Sequence, residues 1–191
     1  IMSSEWSFGE NMMTDYLGYY PLHDSVKEPI WGTEQAACFD LYTHFEPGVV
    51  VRGYDCVNRE RLYEVFTGGD TRDSGNTDRH ILIPMQSRVL IPTGLIFDIP
   101  EGYSVRLHSR SGLAWKDGLY LTNCEGIIDS DYVDPVFVMM TSIAQSPKVI
   151  NNGDRICQAE LVKKVYHGLT EIKKPPVQKT EREGGFGSTG S

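Results

Sequence analysis

The chain has 191 residues, 40% hydrophobic and 23% charged, enough for one domain with its own core and too apolar for disorder. Eighteen basic residues against 26 acidic ones leave a net charge of −8, so binding to nucleic acid or to an anionic membrane through bulk charge is excluded. No apolar run approaches the roughly 20 residues of a membrane helix, and residues 1–11 lack the basic-then-apolar order of a secretory leader, so a cytoplasmic location is expected.

Ten prolines and nineteen glycines punctuate short apolar runs, as in a β-rich domain. In chain order, Asp55 as a cap, then Val57, Leu62, Val65 and Phe66, then Gly68-Gly69 as a stop, predict a short helix. Residues 70–78 are polar and read as a surface loop. Residues 88–91 are extended and closed by Pro92-Thr93-Gly94, and residues 95–99 follow up to the turn Pro100-Glu101-Gly102. In the next run Tyr103, Val105 and Leu107 alternate with Ser104 and Arg106, and residues 136–140, 148–150 and 156–165 have the same style. Many short strands at close spacing predict an all-β sandwich or barrel. Lys173-Lys174-Pro175-Pro176 is a stiff, charged spacer before a tail of Gly, Ser and Thr around Phe186.

Cys38, Cys56, Cys124 and Cys157 lie far apart without a CxxC pair, which excludes the common structural zinc spacings and predicts buried, reduced thiols. Histidines 23, 44, 80, 108 and 167 form no HxH or HExxH pair, so no histidine metal site is expected.

Three stretches carry chemistry. Ser109-Arg110-Ser111-Gly112 offers a guanidinium fork, a hydroxyl and open backbone N–H groups, suited to phosphate or equally to a solvated turn. In Gly126-Ile127-Ile128-Asp129-Ser130-Asp131-Tyr132 two carboxylates two apart share one side of a strand, where one serves either as a general base or as a turn acceptor. Gly184-Gly185-Phe186-Gly187-Ser188-Thr189-Gly190 can wrap an anion while the ring stacks on a flat partner, or it is a disordered end.

Together these stretches resemble the trimeric dUTPases in five ordered blocks. The blocks are Ala37-Cys38-Phe39-Asp40-Leu41; Arg110-Ser111-Gly112-Leu113-Ala114 with Lys116; Asn123 with residues 126–132; Gly153-Asp154-Arg155-Ile156-Cys157-Gln158; and residues 184–190. The resemblance implies a dUTPase-like β-clip, a distorted jelly-roll barrel that forms a homotrimer with shared active sites. It implies a β domain over residues 1–178, with an insert around 48–78, and a C-terminal arm over 179–191 that closes the site.

The implied reaction is Mg²⁺-dependent hydrolysis of dUTP to dUMP and pyrophosphate. Asp129 would deprotonate the water that attacks the α-phosphorus. Asp40 would touch the metal assembly through waters only. Arg110, Ser111, Gly112 and Gln158 would hold phosphate oxygens, with Arg155 organising the site. Backbone groups of a β-hairpin over residues 119–132, Ile127 and Ile128 among them, would select uracil with Asn123, and Tyr132 would stack on the deoxyribose. Phe186 and Gly187 would close over the base while Arg182, Ser188 and Thr189 reach the phosphates.

Departures from the family pattern are Cys38 for glycine, Ser109 for proline, Asp134 for glycine, and Arg182 four rather than five residues before Phe186. Asp40 and Ser111 are also unusually far apart, 71 positions, and the excess falls around residues 48–78, read as a surface subdomain or as an element that contacts a partner protein. The alternative activity is a dCTP deaminase of the same fold, which usually has Arg-Ser-Ser in the second block. A third reading is a regulatory protein that kept the fold.

Overall fold

A computed structural model describes residues 16–68 and 79–181. Fifteen strands and a single π-helical turn make up its regular structure. The strands are β1 (Gly18–Pro21), β2 (Ile30–Trp31), β3 (Phe39–Tyr42), β4 (Val50–Tyr54), β5 (Glu60–Glu64), β6 (Phe66–Thr67), β7 (Arg79–Ile83) and β8 (Arg88–Pro92). They continue with β9 (Leu95–Asp98), β10 (Tyr103–Ser109), β11 (Leu119–Leu121), β12 (Glu125–Asp129), β13 (Phe137–Ser142), β14 (Lys148–Asn151) and β15 (Arg155–Lys163). The expected all-β class holds, and strands occupy every apolar run that the period-two pattern marked from residue 88 onward.

Two five-stranded antiparallel sheets dominate, in the orders β12-β10-β15-β3-β2 and β11-β13-β8-β4-β5. The pair β1-β9 and the small sheet β14-β7-β6 complete the fold. Alternate residues of the strands point inward into one core. Leu41, Val105, Leu107 and Ile156 come from the first large sheet, Val89, Ile91, Leu121 and Met140 from the second, and Phe97, Ile81 and Ile83 from the smaller ones. Each buried Leu, Ile or Phe contributes about 2 kcal/mol through burial, which makes inward alternation the dominant constraint on register.

The structure corrects three local expectations. The helix predicted from Asp55 onward is instead the β4–β5 hairpin and β6. Asp55 caps a turn rather than a helix: its Oδ1 accepts the N–H groups of Val57 at 3.1 Å and Arg59 at 2.9 Å, and Asn58 takes the left-handed conformation at φ 61°. An Asp side chain satisfies the first N–H groups of either structure, so pairing to β8 at Gly53 and Tyr54 decides between them. Far from forming a separate unit, residues 50–64 extend the second large sheet.

The second correction concerns the hairpin expected over residues 119–132. Its arms β11 and β12 belong to different large sheets, joined by a turn in which Cys124 has φ 63°. The third is that Asp131 lies beyond the end of β12, in a turn closed by the Tyr132 N–H donating to Asp129 O at 3.1 Å. The loop expected over 70–78 and the tail from Arg182 lie outside the described residues.

Candidate active site

Strand β3 carries Asp40 into the interior, where it is 5% exposed. Two guanidiniums meet it there. Arg155 Nη1 donates to Asp40 Oδ2 at 3.1 Å, and Arg110 Nε lies 3.4 Å from Oδ1. Arg110 also donates from Nη1 to the Arg155 carbonyl at 3.0 Å. Residues from three of the five sequence blocks are thereby tied at one point. The register explains why: Asp40 sits opposite Gln158 on β15, and Gln158 opposite His108 on β10.

Arg110 and Arg155 line an open cleft of about 780 Å³ with Lys148, Asp117, Asn151 and Asp154. Lys148, 3.3 Å from Asp117, is a cation that the sequence reading missed, because a single Lys in a short strand carries no motif. Ser111 and Gly112 are exposed just ahead of the π-helical turn Leu113–Asp117, which ends on Gly118 at φ 65°. Ser109, which departs from the family's proline, accepts the Leu121 N–H on its Oγ at 2.9 Å and so links β10 to β11.

Asp129 lies elsewhere. It lines a second cleft of about 530 Å³ with Asn123, Ile127, Ile128, Asp131 and Tyr132. Among the described residues strand β12 is the last in its sheet, so every second residue turns its N–H and C=O away from β10, an edge available to a flat polar partner. Gly126 lets β12 approach: a Cβ there would lie 2.9 Å from Leu107 Cβ. The Tyr132 hydroxyl donates to Pro135 O at 2.9 Å, which fixes the ring at the cleft. Phe137 and Met139 also line it, alternating with buried Val138 and Met140, and the uniformly apolar run of residues 137–140 carries no sequence signal for which of them face the cleft.

The residues lining the Asp129 cleft and the Arg110–Arg155 cleft do not overlap. Arg182, Phe186, Gly187, Ser188 and Thr189 lie outside the described residues. Of the four thiols, all free, only Cys157 is fully buried, whereas Cys56 and Cys124 are exposed at turns, contrary to expectation. Burial pushes the Cys157 thiol far up, and the Asp40 carboxylate adds to this. The histidines also depart from the expectation set by their spacing, since His23 and His44 stack with ring centroids 5.6 Å apart.

A family model described as dUTPase matches residues 76–190. The deoxyuridine 5'-triphosphate nucleotidohydrolase of Finegoldia magna is 40% identical over 115 residues, covering 60% of this chain and 79% of that protein. The protein of the same name from Brucella melitensis biotype 2 is 41% identical over 125 residues, covering 65% and 78%. Among solved structures, a dUTPase of Staphylococcus bacteriophage 80alpha with dUpNHpp superposes with a TM-score of 0.68 at 18% identity, covering 93% of this chain and all of that one. The dUTPase of phage phi11 of S. aureus, which has a species-specific insert, gives 0.60 at 17% identity, with 83% and 97% covered. With more than half of its length matched by the family model and relatives at 40% identity aligned over most of their own length, the chain belongs to the dUTPase family.

Proposed function

We infer that the chain hydrolyses dUTP to dUMP and pyrophosphate, with Asp129 as the general base. The observation that carries this reading is the cleft in which Asn123, the free edge of β12, Asp129 and Tyr132 come together. A strand edge offers alternating donors and acceptors, the complement of a uracil edge, and Asn123 adds an amide to that row. Tyr132, fixed through its hydroxyl, offers its ring to the deoxyribose, and in this reading it excludes a 2′-hydroxyl. The exposed Asp129 carboxylate then takes a proton from water as the water oxygen bonds to the α-phosphorus. The bond from the α-phosphorus to the bridging oxygen breaks, and pyrophosphate leaves.

The triphosphate charge calls for cations, and Arg110 and Arg155 supply them, with Ser111, Gly112 and Gln158 as further donors. Because Arg110 and Arg155 line a different cleft from Asp129, the complete site in this reading draws the two clefts from different chains of a homotrimer. From the C-terminal residues 179–191, Phe186 and Gly187 are assigned in this reading to the base and Arg182, Ser188 and Thr189 to the phosphates.

Magnesium fits this arrangement as a companion of the substrate. Among the described residues no group of three or more carboxylates, imidazoles and thiols gathers at either cleft. Asp40 already faces two guanidiniums, and its Oδ1, which has no hydrogen-bond partner among the described residues, would reach the ion through water. When bound, Mg²⁺ on the phosphate oxygens neutralises charge and fixes the shape of the triphosphate. The phi11 phage dUTPase coordinates a structural Mg(II) ion.

Arg-Ser-Gly in the second block favours hydrolysis over deamination of dCTP, as do curated relatives that are nucleotidohydrolases. Incubation with each deoxynucleoside triphosphate separates the two readings. Pyrophosphate from dUTP alone is expected. Ammonia from dCTP would replace the reading with a deaminase, and no pyrophosphate from dUTP would refute it.

A further inference from the structure

We propose that His23, His44 and Glu46 form a binding site for a late first-row divalent cation, Zn²⁺ by preference, which clips the loop after β1 to the segment after β3. The ligating atoms of the three side chains all lie within 4.8 Å of one another. His23 Nε2 is 3.8 Å from Glu46 Oε1, and His44 Nε2 contacts the same oxygen. The two rings stack with an interplanar angle of 19°, so their Nε2 atoms face one carboxylate from neighbouring layers. Tetrahedral zinc with bonds near 2.0–2.1 Å needs donor atoms about 3.3 Å apart, within a small side-chain adjustment of this arrangement.

The scaffold holds all three ligands in place. His44 is 4% exposed, and its N–H donates to Pro92 O at 2.9 Å. Its ring packs on Gly94, where φ is +72° and a Cβ would fall 3.0 Å from His44 Cβ. The loop bearing His23 is pinned on both sides, by the Leu22 N–H donating to Gly94 O at 2.9 Å and the Val26 N–H donating to His23 O at 3.1 Å. Glu46 follows Phe45, which is fully buried and bonded through its N–H to Asn152 Oδ1 at 2.7 Å. The side chains of His23 and Glu46 are 50% and 33% exposed, which leaves a solvent side for entry and for a water as fourth ligand.

Two imidazoles and one carboxylate suit zinc and its neighbours, whereas Mg²⁺ takes oxygen ligands in octahedral geometry. The site is therefore distinct in chemistry from the nucleotide-borne magnesium. Binding replaces the His44–Glu46 hydrogen bond with bonds to the metal. Arg79 lies within electrostatic reach of Glu46 and is the nearby cation that opposes binding. The ion would join residues 22–26 to residues 43–46, the stretch between Asp40 and β4.

The test uses the full chain without an affinity tag, stripped with EDTA and dialysed, and titrated with Zn²⁺ by calorimetry in excess Mg²⁺. One Zn²⁺ per chain at micromolar affinity or tighter is expected, and Co²⁺ should give the visible absorption bands of a four- or five-coordinate site. His23→Ala and Glu46→Gln should each weaken Zn²⁺ binding by about tenfold or more. Both should keep the wild-type melting temperature in EDTA, since both side chains are partly exposed. Added Zn²⁺ should raise that temperature in the wild type and not in the variants. Wild-type binding weaker than about 0.1 mM, or equal affinity in wild type and His23→Ala, would overturn the proposal, the latter by placing the cation at exposed Cys56 or Cys124.

Discussion

Asp129 ends a strand whose free edge faces a cleft, and its side chain is exposed there, where the proposed function makes it the general base. Asp129→Asn preserves shape and hydrogen-bonding reach but removes the proton acceptor. Turnover measured by pyrophosphate release should fall about 10²-fold or more while KM for dUTP changes little. A variant with near-normal turnover would take Asp129 out of the reaction. Cys157 makes the opposite case, a reactive group silenced by its surroundings. Burial raises its thiol pKa, and the neighbouring Asp40 carboxylate acts in the same direction, so the thiolate is scarcely populated at neutral pH. At pH 8 a thiol reagent should modify Cys56 and Cys124 in the native protein and reach Cys157 only in denaturant, as peptide mapping would reveal.

The β4–β5 hairpin depends on one close approach. A Cβ at Gly53 would lie 2.4 Å from the Arg88 carbonyl oxygen and 2.7 Å from the Tyr63 ring. Backbone on one side and a packed ring on the other leave no route of relief, so Gly53→Ala must push β4 off β8. The expected cost is about 3 kcal/mol, or a fall in melting temperature of roughly 5–10 °C. Gly32→Ala, where a Cβ meets nothing within 4 Å and φ is not positive, should melt like the wild type. Equal melting of the two variants would mean that the hairpin is not held against β8 as described. Arg52 pairs with Glu60 at 2.7 Å on one face of the hairpin and Arg61 with Asp55 at 2.8 Å on the other, solvent-screened pairs that add little. Pairing to the sheet, rather than these pairs, holds it.

In a single chain Asp129 and the Arg110–Arg155 pair line separate clefts. Trp115, Leu169 and Val177 stand almost fully exposed, as apolar surface does when an assembly covers it. Light scattering of the active enzyme should give three times 21.5 kDa. Co-expressed Asp129→Asn and Arg110→Ala chains should recover activity that neither variant has alone, because roughly a quarter of randomly mixed sites draw both good residues from different chains. An inactive mixture of confirmed hetero-oligomers would place both clefts' contributions within one chain.

The strands from residue 88 onward were legible in the sequence because each buries one face, and alternation of apolar residues writes that burial directly into the chain. The third block was legible too, since Asn123, Ile127, Ile128, Asp129 and Tyr132 are neighbours in sequence and line one cleft in space. Tertiary structure decided what depends on pairing. Asp55 satisfies local N–H groups in a helix cap or in a hairpin turn, and only the bond of β4 to β8 chose the hairpin. Strands β11 and β12 follow each other like the arms of a hairpin, yet their apolar faces pack in different sheets. His23 and His44 are separated by 21 positions in the sequence and share no spacing rule, but the turn at Pro92-Thr93-Gly94 stacks one on the other beside Glu46. Local sequence fixes the period of burial and the chemistry of adjacent residues; which distant side chains share a site depends on sheet order, which long-range contacts set once the chain has closed on itself.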